Sequence, residues 1–231
     1  MSGQAGRLTL VATPIGNMGD LSPRAAEALA EADIWIVEDT RVSGKLLSHL
    51  GVKKPMRVLN DHTAEHKVSA LADEIANGAT VCLLTDAGTP VVSDPGQSLV
   101  EACLELEVEI DAIPGPSAVT TALALSGFYA QRFVFLGYPP RKPGPLKELL
   151  CPYADSTLTL VMFESPHRFG KLLDACFEVL GERRYAICRE LTKAHQQVWR
   201  ATLPGTPNET EVPHKGEVTL VIEGKRSQKS D

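Results

Sequence analysis

"LVATPIGNMGDLS", Leu10 to Ser22, begins as an apolar strand, turns through Pro14, Gly16, Asn17 and Gly19, and ends at a helix start. Ser22 followed by Pro23 is an N-cap with proline at the first helical position, and an alanine-rich helix runs from there to near Glu31. A bend of this kind brings backbone close to a ligand, yet it lacks the G-x-G-x-x-G spacing of a dinucleotide site. The strand-then-helix order continues. "DIWIVE" precedes a helix from about Arg41 to Leu50 that stops at Gly51. "MRVLN" precedes "AEHKVSALADEIANG", where Val68, Leu71, Ala72 and Ile75 recur at helical spacing. "TVCLLT" precedes a helix near Gln97 to Leu106, and "EIDAI" closes the series. Strict alternation predicts an α/β fold with a parallel or mostly parallel sheet in this first half.

"PGPSAVTTALALSG", Pro114 to Gly127, punctuates the chain and then supplies a helix. A strand at Arg132 to Leu136 follows, then a loop rich in Pro, Gly and Lys from Tyr138 to Pro145, a strand "TLTLVMFE" and a helix from about Pro166 to Leu180. "RYAICRE", "QQVWRATL" and "GEVTLVIEG" are three further strands, so the second half is expected to hold a mixed sheet. The expected division is a domain at residues 1–116, a second at 117–224, and a polar, disordered tail at 225–231.

The chain has 231 residues, 43% hydrophobic and 23% charged, as an ordinary globular protein of one large or two modest domains does. No basic n-region with an apolar h-region opens it, and no apolar run approaches the roughly 18 residues of a membrane span, so a cytoplasmic protein is expected. Its five cysteines are odd in number, widely spaced and without a C-x-x-C pair or Cys/His cluster, which predicts buried reduced thiols and no metal site. Net charge is −6, but it is uneven: residues 1–116 hold 8 Lys and Arg against 17 Asp and Glu (−9), and residues 117–231 hold 15 against 12 (+3). A phosphate-binding face would draw mainly on the second half, with local help from Arg41, Lys45, Lys53 and Lys54.

In α/β sheets ligands bind outside the carboxyl ends of the strands. Three punctuated loops are expected there: "TPIGN", "TDAGTPVVSDPG" (Thr85 to Gly96) and "PGPSA". The second sets Asp86, Thr89, Ser93 and Asp94 among Gly88, Pro90, Pro95 and Gly96, polar groups on a backbone of restricted dihedrals, suited to a compact ligand. Asp94 has two readings, ligand contact or N-cap of a helix begun at Pro95. No lysine follows these glycines as in a phosphate loop, so a nucleoside without a phosphate chain fits better. "EDTR", Glu38 to Arg41, follows the second strand onto the same edge; Asp39 or Thr40 there is either a helix cap or part of a site. "FESPHR" (Phe163 to Arg168) and "RELTK" (Arg189 to Lys193) place Glu164, His167, Arg168, Glu190 and Lys193 at strand ends. There is no G-x-S-x-G elbow, no H-E-x-x-H and no hydrolytic acid pair. The residues alone lead to a two-domain α/β protein with a nucleoside-sized cleft.

Six motifs, "VATPIGNMGDLS", "EDTR", "TDAGTPVVSDPG", "IPGPSA", "FESPHR" and "RELTK", occur together and in order. With them the chain closely resembles, over residues 7–224, the ribosomal small-subunit methyltransferase I group of the tetrapyrrole methylase superfamily. The resemblance implies a two-domain fold, S-adenosylmethionine held in the cleft between the domains, a homodimer, and methylation of a cytidine 2′-oxygen in 16S ribosomal RNA. It implies that Pro14 and Gly16 form the first cofactor loop. The segment Asp86, Ala87, Gly88, Thr89, Pro90, Ser93 and Asp94 would hold the methionine part and ribose, and Ser117 and Ala118 would lie near the sulfonium. Phe163, Glu190 and Leu191 would reach the cofactor from the second domain. Glu38 or Asp39 is expected to accept the hydroxyl proton, with Arg41, Arg168 or Lys193 as partner of the alkoxide or of RNA phosphate. Arg41, Lys45, Arg141, Lys142, His167 and Arg168 are the expected RNA contacts.

The sequence departs from the group at Gln196 and Gln197, where acidic residues are frequent, at Ala201, where Gly is frequent, and at Met162 and Phe163, where Phe and Tyr are usual. Many members also continue past the position of "VIEGKR" into a small helical domain. The competing readings are a methylase of tetrapyrrole precursors and a non-catalytic cofactor-binding protein of the same fold.

Overall fold

A computed structural model describes residues 6–226; residues 227–231 of the expected tail lie outside the described residues. The chain divides into two compact units, Met1–Ser117 and Ala118–Asp231.

The first unit runs β1 (Arg7–Val11), α1 (Pro23–Glu31), β2 (Ile34–Val37), α2 (Thr40–Leu50), β3 (Met56–Val58), α3 (Glu65–Ala76), β4 (Thr80–Leu84), α4 (Gln97–Glu105) and β5 (Glu109–Ile113). Its strands lie in the order β3-β2-β4-β1-β5 and every pairing is parallel. The two-residue period of a strand sends alternate side chains to opposite faces. Val11, Trp35, Val37, Cys82 and Leu84 meet Ala25 and Leu29 of α1 and Leu46 of α2. Leu8, Ile34, Ile36, Val81 and Leu83 meet Val68, Ala72 and Ile75 of α3 and Leu99 and Cys103 of α4. Right-handed crossovers require this split: β1 to β2 to β3 steps one way across the sheet over one face, and β3 to β4 to β5 steps back over the other. The neighbours β1 and β4 therefore send their exit loops to opposite faces, which opens a crevice between them.

Local chemistry sets the ends of α1. Ser22 Oγ accepts the Ala25 N–H at 3.1 Å, with Pro23 at the first helical position. The indole of Trp35, fully buried on β2, donates to Leu29 O at 2.9 Å and ties the last turn of α1 to the sheet.

The second unit runs α5 (Ala118–Ser126), β6 (Phe133–Phe135), α6 (Pro143–Leu150), β7 (Thr159–Glu164), α7 (Phe169–Leu180), β8 (Arg184–Arg189), β9 (Gln197–Thr202) and β10 (Val218–Ile222). Its order is β6-β7-β10-β8-β9, with β6 and β7 parallel and the remaining pairs antiparallel, a mixed sheet. One face carries α6 and α7, whose Leu146, Leu150, Phe169, Leu172 and Leu173 cover Leu160, Met162, Ile187 and Leu220. The other face carries α5, where Cys188 Sγ lies 3.8 Å from Ala122 O.

Two elements differ from expectation. Helix α6 begins inside the predicted loop, because Pro143 occupies its first turn and Leu146 and Leu150, four apart, are both buried. Helix α7 begins at Phe169 rather than Pro166; residues 165–168 form a turn in which Ser165 O accepts from both Arg168 N and Phe169 N. Cys82, Cys103, Cys176 and Cys188 are buried, as expected of packed thiols, and burial pushes Cys82 up to about 12; Cys151 is exposed.

Candidate active site

Because the first sheet is wholly parallel, the loops after β1, β2, β3, β4 and β5 all emerge at one rim. The structure stitches three of them together. Thr13 N donates to Gly88 O at 2.8 Å and Gly88 N to Thr13 O at 3.1 Å, joining "TPIGN" to the β4 loop. Thr13 Oγ1 adds a bond to Thr85 O at 3.2 Å, and Ala12 N reaches Ile113 O at 3.1 Å. Gly88 has φ +88, and a Cβ there would lie 3.4 Å from Ile15 Cγ2 and 3.8 Å from Pro116 O. The dihedral is what calls for glycine, since the space around a Cβ is ordinary. Val91 (φ 72) and Ser93 (φ 63) hold left-handed dihedrals without being glycine. Strain of this kind persists only where surrounding structure over-determines it.

The rim is acidic. The Glu38 carboxyl is raised above its usual range, by burial first and then by Asp86, Asp94, Asp61 and Asp39. Asp86 is raised by burial, which outweighs a hydrogen bond from the Asp39 backbone, and its Oδ1 is shielded from solvent with no hydrogen-bond partner among the described residues. Asp94 is pushed up to about 6 by burial and then by Asp86 and Asp61. It does not cap α4: Gly96 is the N-cap, with no side-chain bond. Asp39 behaves oppositely. Its side chain caps α2 by accepting Arg41 N at 2.8 Å and grips the Arg41 guanidinium, which holds the carboxyl down at about 2. Arg41 is otherwise exposed, and Lys45 is exposed one turn further along α2. Ala87, Thr89 and Ser93 are exposed and Pro90 is buried; Ser117 and Ala118 are half-buried at the start of α5. Such a rim suits a compact ligand that carries positive charge and hydroxyl donors. A cleft of about 640 Å³ opens beside it between α3 and α4, lined by Asn60, Asp61, Asp94, Ser98 and Glu101; Pro14, Glu38 and Gly88 do not line it.

The raised Asp94 carboxyl has a stability consequence. Its folded-state affinity for a proton exceeds the ordinary value near 3.8, so folding is favoured most when it is protonated, and stability falls as pH rises through about 6. Asp94→Asn is expected to be more stable than wild type at pH 8 and equal to it near pH 3, read as urea midpoints against pH. A difference independent of pH would show that burial of the charge is not its source.

In the second unit, Val218 pairs with both Glu164 and Arg189, and Gln197 pairs with Arg189. The carboxyl ends of β6, β7 and β8 therefore meet the amino ends of β9 and β10 at one end of the sheet. "FESPHR", "RELTK" and the segment before β10 gather there. Glu164 is buried; its Oε1 accepts Ser165 N at 2.7 Å and pairs with Arg168 Nη1 at 3.2 Å, while Oε2 has no partner among the described residues. Glu190 (φ 50) and Thr192 (φ 65) are left-handed. Lys193 Nζ is held between Glu190 Oε1 at 2.9 Å and Glu217 Oε2 at 2.8 Å. Burial lowers the Lys193 ammonium, but the two carboxylates outweigh it and raise it, so Lys193 is a permanent cation and no proton acceptor at neutral pH. Burial likewise raises Glu190, and the Lys193 ammonium and the Glu217 N–H outweigh that and hold it low. Leu191 is buried, Phe163 half-buried, and His167, Arg141 and Lys142 exposed.

Two residues, Asp61 and Glu217, carried no mark in the sequence motifs. Asp61 follows β3 onto the same rim and was open to the strand-end rule that identified Glu38. Glu217 had no local signal, since only strand pairing brings it to "RELTK", where Arg189 bonds Lys215 O at 3.1 Å and His195 O at 3.2 Å.

Known proteins support one assignment. The family model described as Tetrapyrrole (Corrin/Porphyrin) Methylases matches residues 7–206. A Mycobacterium bovis protein named ribosomal RNA small subunit methyltransferase I is 46% identical over 223 residues, 95% of this chain and 78% of its own. Proteins of the same name from Synechocystis (44% over 221 residues, 95% and 79%) and Thermotoga maritima (38% over 221 residues, 95% and 99%) are also similar. Among solved structures, the methyltransferase CobJ superposes with a TM-score of 0.72 at 18% identity, covering 96% of this chain and 97% of its own. Uroporphyrin-III-C-methyltransferase from Thermus thermophilus superposes with 0.65 at 21%, covering 94% of each; both likenesses bear on the fold alone. With the family model spanning most of the chain and these relatives matching nearly all of it, the chain belongs to the tetrapyrrole methylase family and, within it, to the ribosomal RNA small subunit methyltransferase I group.

Proposed function

We propose that this methyltransferase moves a methyl group from S-adenosylmethionine to the ribose 2′-hydroxyl of a cytidine in the 16S RNA of the small ribosomal subunit. The observation that carries the reading is the 46% identity over 95% of the chain to a protein named for that subunit's RNA. The residues at the first rim fit the donor: an unpartnered Asp86 Oδ1 and the carboxylates of Glu38 and Asp94 suit ribose hydroxyls and a cation, and the joined Thr13 and Gly88 backbones supply a close-fitting wall. When bound, S-adenosylmethionine supplies a methyl group on a good sulfonium leaving group.

The protein's task is then to align the acceptor oxygen with that methyl and to ease loss of the hydroxyl proton. Of the two carboxylates after β2, Glu38 is the better acceptor, because its raised proton affinity brings it nearer the operating pH. Asp39, held at about 2, serves instead to cap α2 and to aim Arg41, whose guanidinium is left for RNA phosphate. Lys193 is assigned to charge stabilisation rather than proton transfer. Arg141, Lys142, His167 and Arg168 are assigned to phosphate contacts, Lys45 with them, in a cytoplasmic homodimer.

The test is transfer from labelled donor to small ribosomal subunits, naked 16S RNA and tetrapyrrole precursors side by side. Small subunits are expected to be the best acceptor, with affinity falling steeply as salt rises, since each phosphate contact releases counterions. Labelling of a tetrapyrrole alone would refute the reading, and sedimentation reads the dimer.

A further inference from the structure

The same sheet end of the second unit carries an aromatic stack that no catalytic assignment uses. Tyr138, in the loop after β6, is 68% exposed, more than any other large apolar or aromatic side chain among the described residues. Its ring lies 5.4 Å from that of Phe163, tilted by 56°, and Phe163 in turn meets Phe135 edge-on at 4.9 Å. The backbone holds this arrangement, because Phe163 N donates to Gly137 O at 2.8 Å and so locks the residue before Tyr138 to β7. Pro139 and Pro140 follow and restrict the loop further. The segment "LGYPPRK" continues into exposed Arg141 and Lys142 and contains no acid. Phe163 also begins "FESPHR", whose one acid, Glu164, is buried and paired with Arg168, leaving exposed His167 facing His214 at 6.2 Å.

Tyr138 is not an isolated exposed ring. Here two further aromatics brace it and the adjacent charges are positive. We infer that Tyr138 is a stacking platform for one unpaired base of the RNA substrate, with Phe163 fixing its tilt and Arg141 and Lys142 taking the phosphates on either side. RNA is recognised chiefly where bases are splayed from the helix, and each has a π-face that an aromatic ring accepts without regard to sequence. The inference rests on the RNA reading above and adds to it which residue holds a base.

The experiment measures binding of oligocytidylate and of an abasic ribose-phosphate oligomer of equal length, by fluorescence anisotropy over a salt series. Wild type is expected to bind the oligocytidylate more tightly. Tyr138→Ala is expected to weaken that binding about ten-fold or more, with Tyr138→Phe near wild type and the salt slope unchanged, because stacking releases no counterions. Arg141→Ala or Lys142→Ala is expected instead to lower the slope by about one. Equal binding of the two oligomers by wild type, or no binding of oligocytidylate, overturns the platform, as does a Tyr138→Ala protein that binds like wild type. A Tyr138→Ala protein that binds RNA normally but loses a dimer on sedimentation assigns the ring to a second copy of the chain, and overturns it too. Methyl transfer to small subunits is read separately, so the platform can fail while the proposed activity stands.

Discussion

Glu38→Gln is expected to slow single-turnover methyl transfer to small ribosomal subunits by about 10²–10⁴-fold, the usual contribution of a positioned general base. The amide keeps the size of the side chain and removes only its ability to take a proton. Donor affinity, read by calorimetry, is expected to change far less than the rate. The wild-type rate should climb as pH rises through the elevated Glu38 titration, because a base acts only when deprotonated, and the variant should lose that limb. Asp39→Asn is expected to slow transfer by less than ten-fold, since its carboxyl at about 2 has little affinity for a proton. What it loses is the charge that grips Arg41, while the amide oxygen can still cap α2 by accepting the Arg41 N–H. Equal rate losses in the two variants, or a Glu38→Gln protein that keeps the acid limb, would remove Glu38 from this role.

Trp35→Ala is expected to destabilise the first unit by about 3–5 kcal/mol, a large share of the 5–15 kcal/mol typical of a folded domain. Trp35 is fully buried among Leu29, Val37, Leu46 and Leu84, and its Nε1–H bonds Leu29 O, so truncation leaves a cavity and an unpaired carbonyl together. Trp35→Phe keeps much of the volume and should lose less. Urea midpoints measure both. Because β2 ends one residue before Glu38, a partly unfolded variant should also lose transfer, and reaction with small subunits at low temperature separates the two effects. A midpoint shift below about 1 kcal/mol would mean the core relaxes into the space.

The parallel first sheet was legible because each of its elements carries a local signal: Ser22 and Pro23 open α1, Gly51 closes α2, and Val68, Ala72 and Ile75 recur on one side of α3. The strand-end rule then located the loops that the structure joins through Thr13 and Gly88. Helix α6 was not legible, since "PGP" signals a turn and a helix start alike and only burial of Leu146 and Leu150 distinguishes them.

From sequence alone came the alternation that makes the α/β fold, the loops at the strand ends and the motifs of the family, all properties of neighbours along the chain. Only tertiary structure decided the surroundings of individual charges. Glu38 and Asp39 are adjacent and chemically alike, yet one is raised by burial among Asp86, Asp94 and Asp61 while the other is held low by Arg41. Lys193 is fixed by Glu217, 24 residues away. Proton affinity follows the distance and burial of surrounding charges, and those distances exist only once strands far apart in sequence lie side by side.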